Sequence, residues 1–361
     1  TIYESNHYLY HTLPASVADF EEGIIAGRVM GEYSDMALGL YGNFCVVFTQ
    51  SNATGGSSYL YLAYVNDGDL AIDELVSSYN EIRFPRVAVD SSGVVHFAYQ
   101  TYGWNGEVRY GTWDDGSVTD ELVYSEGSTD NPGAYLDMVV LDDGAGGIDR
   151  ILVWSNELDE VMCGYMLDGA SGWTTDVVHT ADGAYNELVG YYCSLDICQE
   201  PEQLPPGPPP IRAPSAVGDT EYYVGVSFGV YSEFESVHWE VRACGSNDLD
   251  FWACDTIEYL EEPVTETVFR WRHSSAEPYI LWSTDSGVYW SYYGDGWSTM
   301  EITAEGDHYG AVLDLCIDES TGEQYAIGNE GQDSIFGAYF NYELGEWDLD
   351  TEPIPDGHRV E

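Results

Sequence analysis

The sequence contains no lysine. Ten arginines face 64 aspartates and glutamates, for a formal net charge of −54 over 361 residues. A surface of that sign repels phosphate backbones and anionic lipid headgroups, which excludes nucleic acid as a partner and membrane insertion as a mode of action. Long hydrophobic runs are also missing, and no apolar stretch reaches the ~20 residues that a membrane-spanning helix needs. Helical periodicity is missing as well. Runs of like charge stay short and aromatics are plentiful, with 30 Tyr and 11 Trp, so the chain is not a disordered polyanion. The acidity fits a protein that keeps soluble at high salt, as halophilic proteins do, or a secreted acidic surface; cation binding is the third reading. The chain begins at Thr1 without Met or a signal-peptide pattern, so we expect a processed product or an excised segment.

Cysteine is scarce and odd in number, at seven. Cys193 and Cys198 flank SLDI, and Cys244 and Cys254 flank GSNDLDFWA. Both spacings suit local disulfides across a turn or hairpin. Cys45, Cys163 and Cys316 sit in apolar strand patterns and read as buried free thiols. The spacings match no zinc pattern. Two disulfides predict an oxidising setting: extracellular, cell-surface or periplasmic.

What the chain does contain is a repeat. Residues 84–127 read as four short strands joined by tight turns: a first strand ending at Asp90, then Ser91-Ser92-Gly93; VVHFAYQ, apolar on both faces; EVRYGTW; and the acidic VTDELVY after Asp114-Asp115-Gly116. Apolar content falls from the first strand to the last, the gradient expected of one propeller blade with inner strands buried and an outer strand in water. Further units follow the same order at about 35–79, 133–183, 186–261, 265–305 and 308–352. The second strand tends to close on an aromatic (Phe48, Tyr99, Trp154, Phe228, Trp282). The last tends to open with Trp (Trp173, Trp297, Trp347, with Trp252 nearby). We read these rings as the packing between neighbouring blades, and a period of roughly fifty residues predicts a propeller rather than a sandwich.

Residues 1–30 supply NHYLYHTLPAS and VADFEEGII, which look like the outer two strands of a split blade. The expected fold is therefore an all-β propeller in one domain spanning 1–361, with six complete four-stranded blades plus an N-terminal half-blade, six- or seven-bladed. Residues 199–220 form a proline-rich insertion in the fourth blade, too stiff to join a ladder.

The Asp90-x-x-Gly93 turn followed by VVHFAY resembles the blades of bacterial extracellular propellers of the sialidase-like group, and the likeness in pattern spans most of the chain. Ser283-Thr284-Asp285-Ser286-Gly287-Val288-Tyr289-Trp290 is similar to that group's Asp-box, S-x-D-x-G-x-T-W, with Tyr289 in place of Thr. It falls between the second and third strands, whereas the family places its box between the third and fourth. In that family the box is a folding element, not a catalytic one.

The resemblance implies an arginine cluster for a substrate carboxylate, a Tyr with a Glu partner and an acid/base Asp. Arg86, Arg270 and Arg272 lie on first strands, where such a cluster would be drawn from; an arginine in so acidic a chain is also the natural charge partner of a neighbouring carboxylate. A lyase on this fold would use His and Tyr. His273, beside Arg272 and Trp271, is the better candidate, and His96 in its apolar strand reads as a satisfied core histidine. Calcium would be drawn from acidic turns: Asp67 and Asp69, or Asp142, Asp143 and Asp149. The commonest use of such Asp-Gly segments is a hairpin turn.

No convergent catalytic set emerges. The function expected is thus a non-catalytic secreted or cell-surface module, binding a protein partner or self-associating by strand addition at the half-blade. The alternative is a carbohydrate-binding or carbohydrate-active propeller, sialidase-like hydrolase or polysaccharide lyase, with glycan as its partner.

Overall fold

The computed structural model describes residues 2–5, 8–11, 29–39, 44–51, 57–66, 69–127, 132–142, 147–183, 186–199, 222–233, 238–246, 249, 252–272, 275–294, 296–303, 309–318, 321–330, 334–341 and 344–353. Among them there is no α-helix, and the sheets are built from strands alone. Six four-stranded antiparallel sheets follow one another along the chain, each with its strands in sequence order. They are β3–β6 (Val29–Leu38, Phe44–Ser51, Ser58–Asn66, Asp69–Ser78), β7–β10 (Glu81–Val89, Val95–Tyr102, Glu107–Asp114, Ser117–Tyr124) and β11–β14 (Pro132–Asp142, Ile148–Asn156, Glu160–Met166, Thr174–Thr180). Next come β15–β18 (Leu188–Gln199, Tyr222–Ser232, His238–Ser246, Ala253–Leu260), β19–β22 (Val264–Arg272, Glu277–Thr284, Val288–Tyr293, Trp297–Glu301) and β23–β26 (Tyr309–Ile317, Gln324–Glu330, Ser334–Asn341, Glu346–Pro353). Consecutive four-stranded meanders of this kind are the blades of a β-propeller.

Ahead of them, β1 (Ile2–Ser5) and β2 (Tyr8–His11) pair as a separate two-stranded sheet. The VADFEEGII segment and the proline-rich run at 200–221 lie outside the described residues. The first full blade begins at Val29, earlier than the strand pattern from Asp35 implied.

The chain divides into two compact units, one of residues 1–151, 164–174 and 355–361, the other of residues 152–163 and 175–354. In the first, the leading strands β3, β7 and β11 lie side by side; in the second, β15, β19 and β23 do. These strands are the inner edges of their blades.

Burial does not fall evenly from first strand to last. The second strand is the most buried: β8 has only its final residue exposed, whereas β7 is half-buried and β10 is exposed along nearly its whole length. The leading strand has a free edge and one face open toward neighbouring leading strands, so the second strand is the one covered on both faces. The aromatics that close it, Phe48, Tyr99, Trp154, Phe228 and Trp282, are all fully buried, as the packing argument requires. Neighbouring blades approach closely through these strands. A Cβ on Gly225 of β16 would lie 2.2 Å from the Phe269 ring of β19, so only glycine fits there. Trp347 packs edge-on against Trp290 and Phe340 in the core of the last two blades.

Cys244 and Cys254 form a disulfide, directly opposite each other on β17 and β18 with Cα atoms 4.0 Å apart. The predicted Cys193–Cys198 bridge does not form; both are buried thiols outside any disulfide. They lie on one strand, β15. Five residues of extended chain span roughly 16 Å, and a disulfide tolerates about 7 Å. Cys45 and Cys163 are buried thiols as expected, but Cys316 is exposed, because it shares the open face of β23 with Asp314 while Leu313 and Leu315 face inward.

Candidate functional site

Each leading strand carries a charged residue at or beyond its middle: Asp35, Arg86, Asp137, Asp196, Arg270 and Asp314. In each unit they form the same Asp–Arg–Asp arrangement across three adjacent strands. In the first unit the Val87 N–H donates to Asp35 Oδ2 at 2.8 Å, and Arg86 Nε donates to Asp137 Oδ1 at 3.2 Å. Arg86 Nη1 also donates to the Pro85 carbonyl, and Asp137 Oδ1 accepts the Met138 N–H. The second unit repeats this. The Trp271 N–H donates to Asp196 Oδ2 at 2.7 Å, and Arg270 Nη2 donates to Asp314 Oδ1 at 2.7 Å. Arg270 Nη1 reaches the Phe269 carbonyl, and Asp314 Oδ1 accepts the Leu315 N–H. Arg270 Nε adds a bond to the Leu315 carbonyl at 3.1 Å, so the guanidinium is fixed on several sides.

The two arrangements differ in access. In the second unit Arg270 is 33% and Asp314 62% exposed, and a pocket of about 370 Å³ opens over Asp196, Arg270, Trp271, Asp314 and Cys316. In the first, Arg86 and Asp137 are 29% and 19% exposed. There burial pushes the Asp35 carboxyl above the usual carboxylate range, against the pull of Arg86, and the nearby Asp137 charge pushes the same way.

The arginine cluster drawn from Arg86, Arg270 and Arg272 does not form as a cluster, because each guanidinium ends in an ion pair of its own: Asp137, Asp314 and, at 3.5 Å, Glu277. Carboxylates outnumber arginines so heavily that each one finds a partner locally. His273 lies outside the described residues. His96 is buried between Asp90 Oδ2 (3.1 Å from Nε2) and the Tyr110 hydroxyl at Nδ1. Arg150 Nε in turn donates to Tyr110 at 2.8 Å. Burial holds the imidazole below its ordinary value, toward its neutral form, and at 1% exposure the ring has no access to a substrate.

Of the proposed calcium ligands, Asp67 and Asp143 lie outside the described residues, and Asp69 is described in its backbone alone. Asp142 accepts bonds from Ser91, and Asp149 accepts the Asp168 N–H. Among the described residues no group of three or more His, Cys, Asp and Glu side chains is placed to hold a metal. The Asp-box-like segment closes the β20–β21 hairpin through a Thr284 N–H bond to the Gly287 carbonyl, with Trp290 in the core. That is a folding role, and the resemblance that stands is the coarser one, to a propeller.

Sequence reading missed the four aspartates of the two arrangements. Their signal was present: a charged residue inside an apolar strand, as in S-D-M, L-D-M, L-D-I and L-D-L, at the level of P-R-V and F-R-W.

No protein-family model matches the sequence, and no curated protein matches it. Solved structures similar to it include the GH93 alpha-L-arabinofuranosidase of Fusarium graminearum, complexed with arabinobiose (10% identity, 89% of this chain and 92% of that one, TM-score 0.49). Another is the alpha-L-arabinanase of Penicillium chrysogenum, also with arabinobiose (12%, 90% and 93%, TM-score 0.49). A third is the SapL1 lectin with alpha methyl fucoside (11%, 91% and 97%, TM-score 0.45). No residue role is carried over from them. The expected non-catalytic assembly module is corrected here: the similar solved structures are an arabinofuranosidase, an arabinanase and a lectin.

Proposed function

We propose that this chain is a carbohydrate-directed β-propeller that works outside the cytoplasm, with its sugar site in the pocket over Asp196, Arg270 and Asp314. The observation that carries this reading is an exposed carboxylate and a fixed guanidinium sharing one pocket with Trp271. Sugar hydroxyls donate and accept together, so adjacent hydroxyls match a carboxylate and a guanidinium side by side. The pocket volume falls in the ~300–1,000 Å³ range of small-ligand sites. The Cys244–Cys254 disulfide supports an oxidising compartment. A glycan array followed by calorimetry on the best oligosaccharide tests it. Asp314→Asn and Arg270→Ala are expected to weaken binding by about tenfold or more, the loss of one charge-assisted hydrogen bond or more. Unchanged affinity in both variants removes the pocket from the reading.

One observation favours hydrolysis as a second activity, at the first unit's arrangement. Asp35 is held toward its protonated form while Arg86 and Asp137 stand beside it, and glycoside hydrolysis needs one carboxyl as proton donor and one ionised. With a panel of neutral aryl glycosides, Asp35→Asn is expected to lower kcat by about 10²–10⁴-fold and abolish the basic limb of the pH profile. Wild-type protein inert on every glycoside, or an Asp35→Asn variant as active as wild type, refutes it.

A further inference from the structure

Outside the two charged arrangements, the most exposed aromatic side chains of the described residues gather at one corner of the second blade. Tyr79 is 95% and Trp104 73% exposed, and Trp104 is the one tryptophan among the described residues that stands in solvent. Tyr102, next to them, is also exposed. They come from two turns that the sheet register brings together, since Tyr102 at the end of β8 pairs with Glu81 at the start of β7.

These turns are held in shape. Asn80 Nδ2 donates to the Trp104 carbonyl at 2.8 Å, and the Asn80 N–H is bonded to Ser78 Oγ at 3.0 Å. Gly103 has φ +135°, and a Cβ there would sit 3.2 Å from the Asn80 side chain, so glycine lets the two turns close on each other. Arg83 lies 3.7 Å over the Tyr102 ring and pairs with Glu81 at 2.7 Å, which fixes the flank and neutralises its charge.

We propose that Tyr79 and Trp104, flanked by Tyr102 and Arg83, form a surface platform that stacks against the sugar rings of a neutral polysaccharide. Large rings kept in water on pinned turns cost little further ordering on binding, and their faces suit the C–H face of a pyranose. Asn80, Glu81 and Arg83 supply hydrogen-bonding groups at the rim. The net charge of −54 disfavours an anionic polymer. Two short turns are small beside the ~800 Å² per partner of a stable protein interface, which favours a chain of sugars over a protein. The choice of sugar as occupant rests on the carbohydrate reading above, but the site is a separate one, built from none of the same residues.

Native affinity electrophoresis of the full chain tests it, in gels containing a soluble β-glucan, a galactomannan or an arabinan, with polygalacturonate as the anionic control. Retardation is expected in at least one neutral gel and not in polygalacturonate. Tyr79→Ala/Trp104→Ala should abolish it, a weakening of about tenfold or more, with an unchanged melting temperature. Tyr259→Ala, which removes another exposed ring (66%) that belongs to neither site, should leave the retardation intact. Retardation that survives the double variant but is lost in Asp314→Asn overturns the platform and leaves the pocket standing. No retardation in any neutral gel overturns the platform too, whatever calorimetry finds at the pocket. Quenching of Trp104 fluorescence by the retained polysaccharide, absent in Trp104→Phe, supplies a second readout.

Discussion

At the scale of single residues, the buried chain from Arg150 through Tyr110 and His96 to Asp90 is a stability element with a defined pH range. Burial holds the His96 imidazole below its ordinary value, with Asp90 pulling the other way, and pushes the Tyr110 phenol up to about 12. Burial alone would raise Asp90, but hydrogen bonds from Ser92, His96 and Val94 outweigh it and hold the carboxyl low. A histidine whose folded pKa is depressed contributes stability in full above its unfolded value near 6.5, and that contribution fades as pH falls toward the folded value. Tyrosine acts in the opposite sense, losing its contribution between about 10 and 12 as pH rises. Denaturant titrations should therefore show stability declining below about pH 6.5, with His96→Gln flattening that limb. Tyr110→Phe should cost about 1–3 kcal/mol at pH 7.5 by leaving His96 Nδ1 and Arg150 Nε without their partner. A pH-independent midpoint between 5 and 7 would show that His96 titrates normally and that the chain of bonds is not formed.

At the scale of the element, the blade was legible because two signals agree. Turn chemistry places the joints, as at Asp90, whose carboxylate accepts the Ser92 and Val94 N–H groups while Gly93 takes φ +90°. Buried aromatics mark the second strand, from Phe48 to Trp282. The Cys193–Cys198 bridge was misread because spacing in sequence is blind to whether two residues share one strand or face each other on two. Cys244 and Cys254, ten apart, meet only because β17 and β18 fold back on each other. The charged arrangements went unread for a related reason. Asp35, Arg86 and Asp137 stand about fifty residues apart, and only the side-by-side placement of leading strands joins them. A mid-strand Asp in isolation looks like an ordinary solvated position, and its meaning lies in the strand next to it.

At the scale of the whole molecule, the governing quantity is the excess of 54 negative charges. The few arginines act locally, as in the pairs of Arg242 with Glu187 and Glu240, and of Arg109 with Glu107 and Asp120. The remaining carboxylates repel one another across the surface, and the folded state concentrates that repulsion more than the expanded chain does. Mobile ions relieve it over a distance set by the Debye length, ~30 Å at 0.01 M and ~3 Å at 1 M. The melting temperature should therefore climb steadily with NaCl across this range, most steeply at the low end where screening first reaches neighbouring carboxylates. Equal concentrations of NaCl and of an uncharged osmolyte separate screening from general preferential exclusion. If the osmolyte raises the melting temperature as much as the salt does, or if the salt curve is flat, charge repulsion is not what limits this fold.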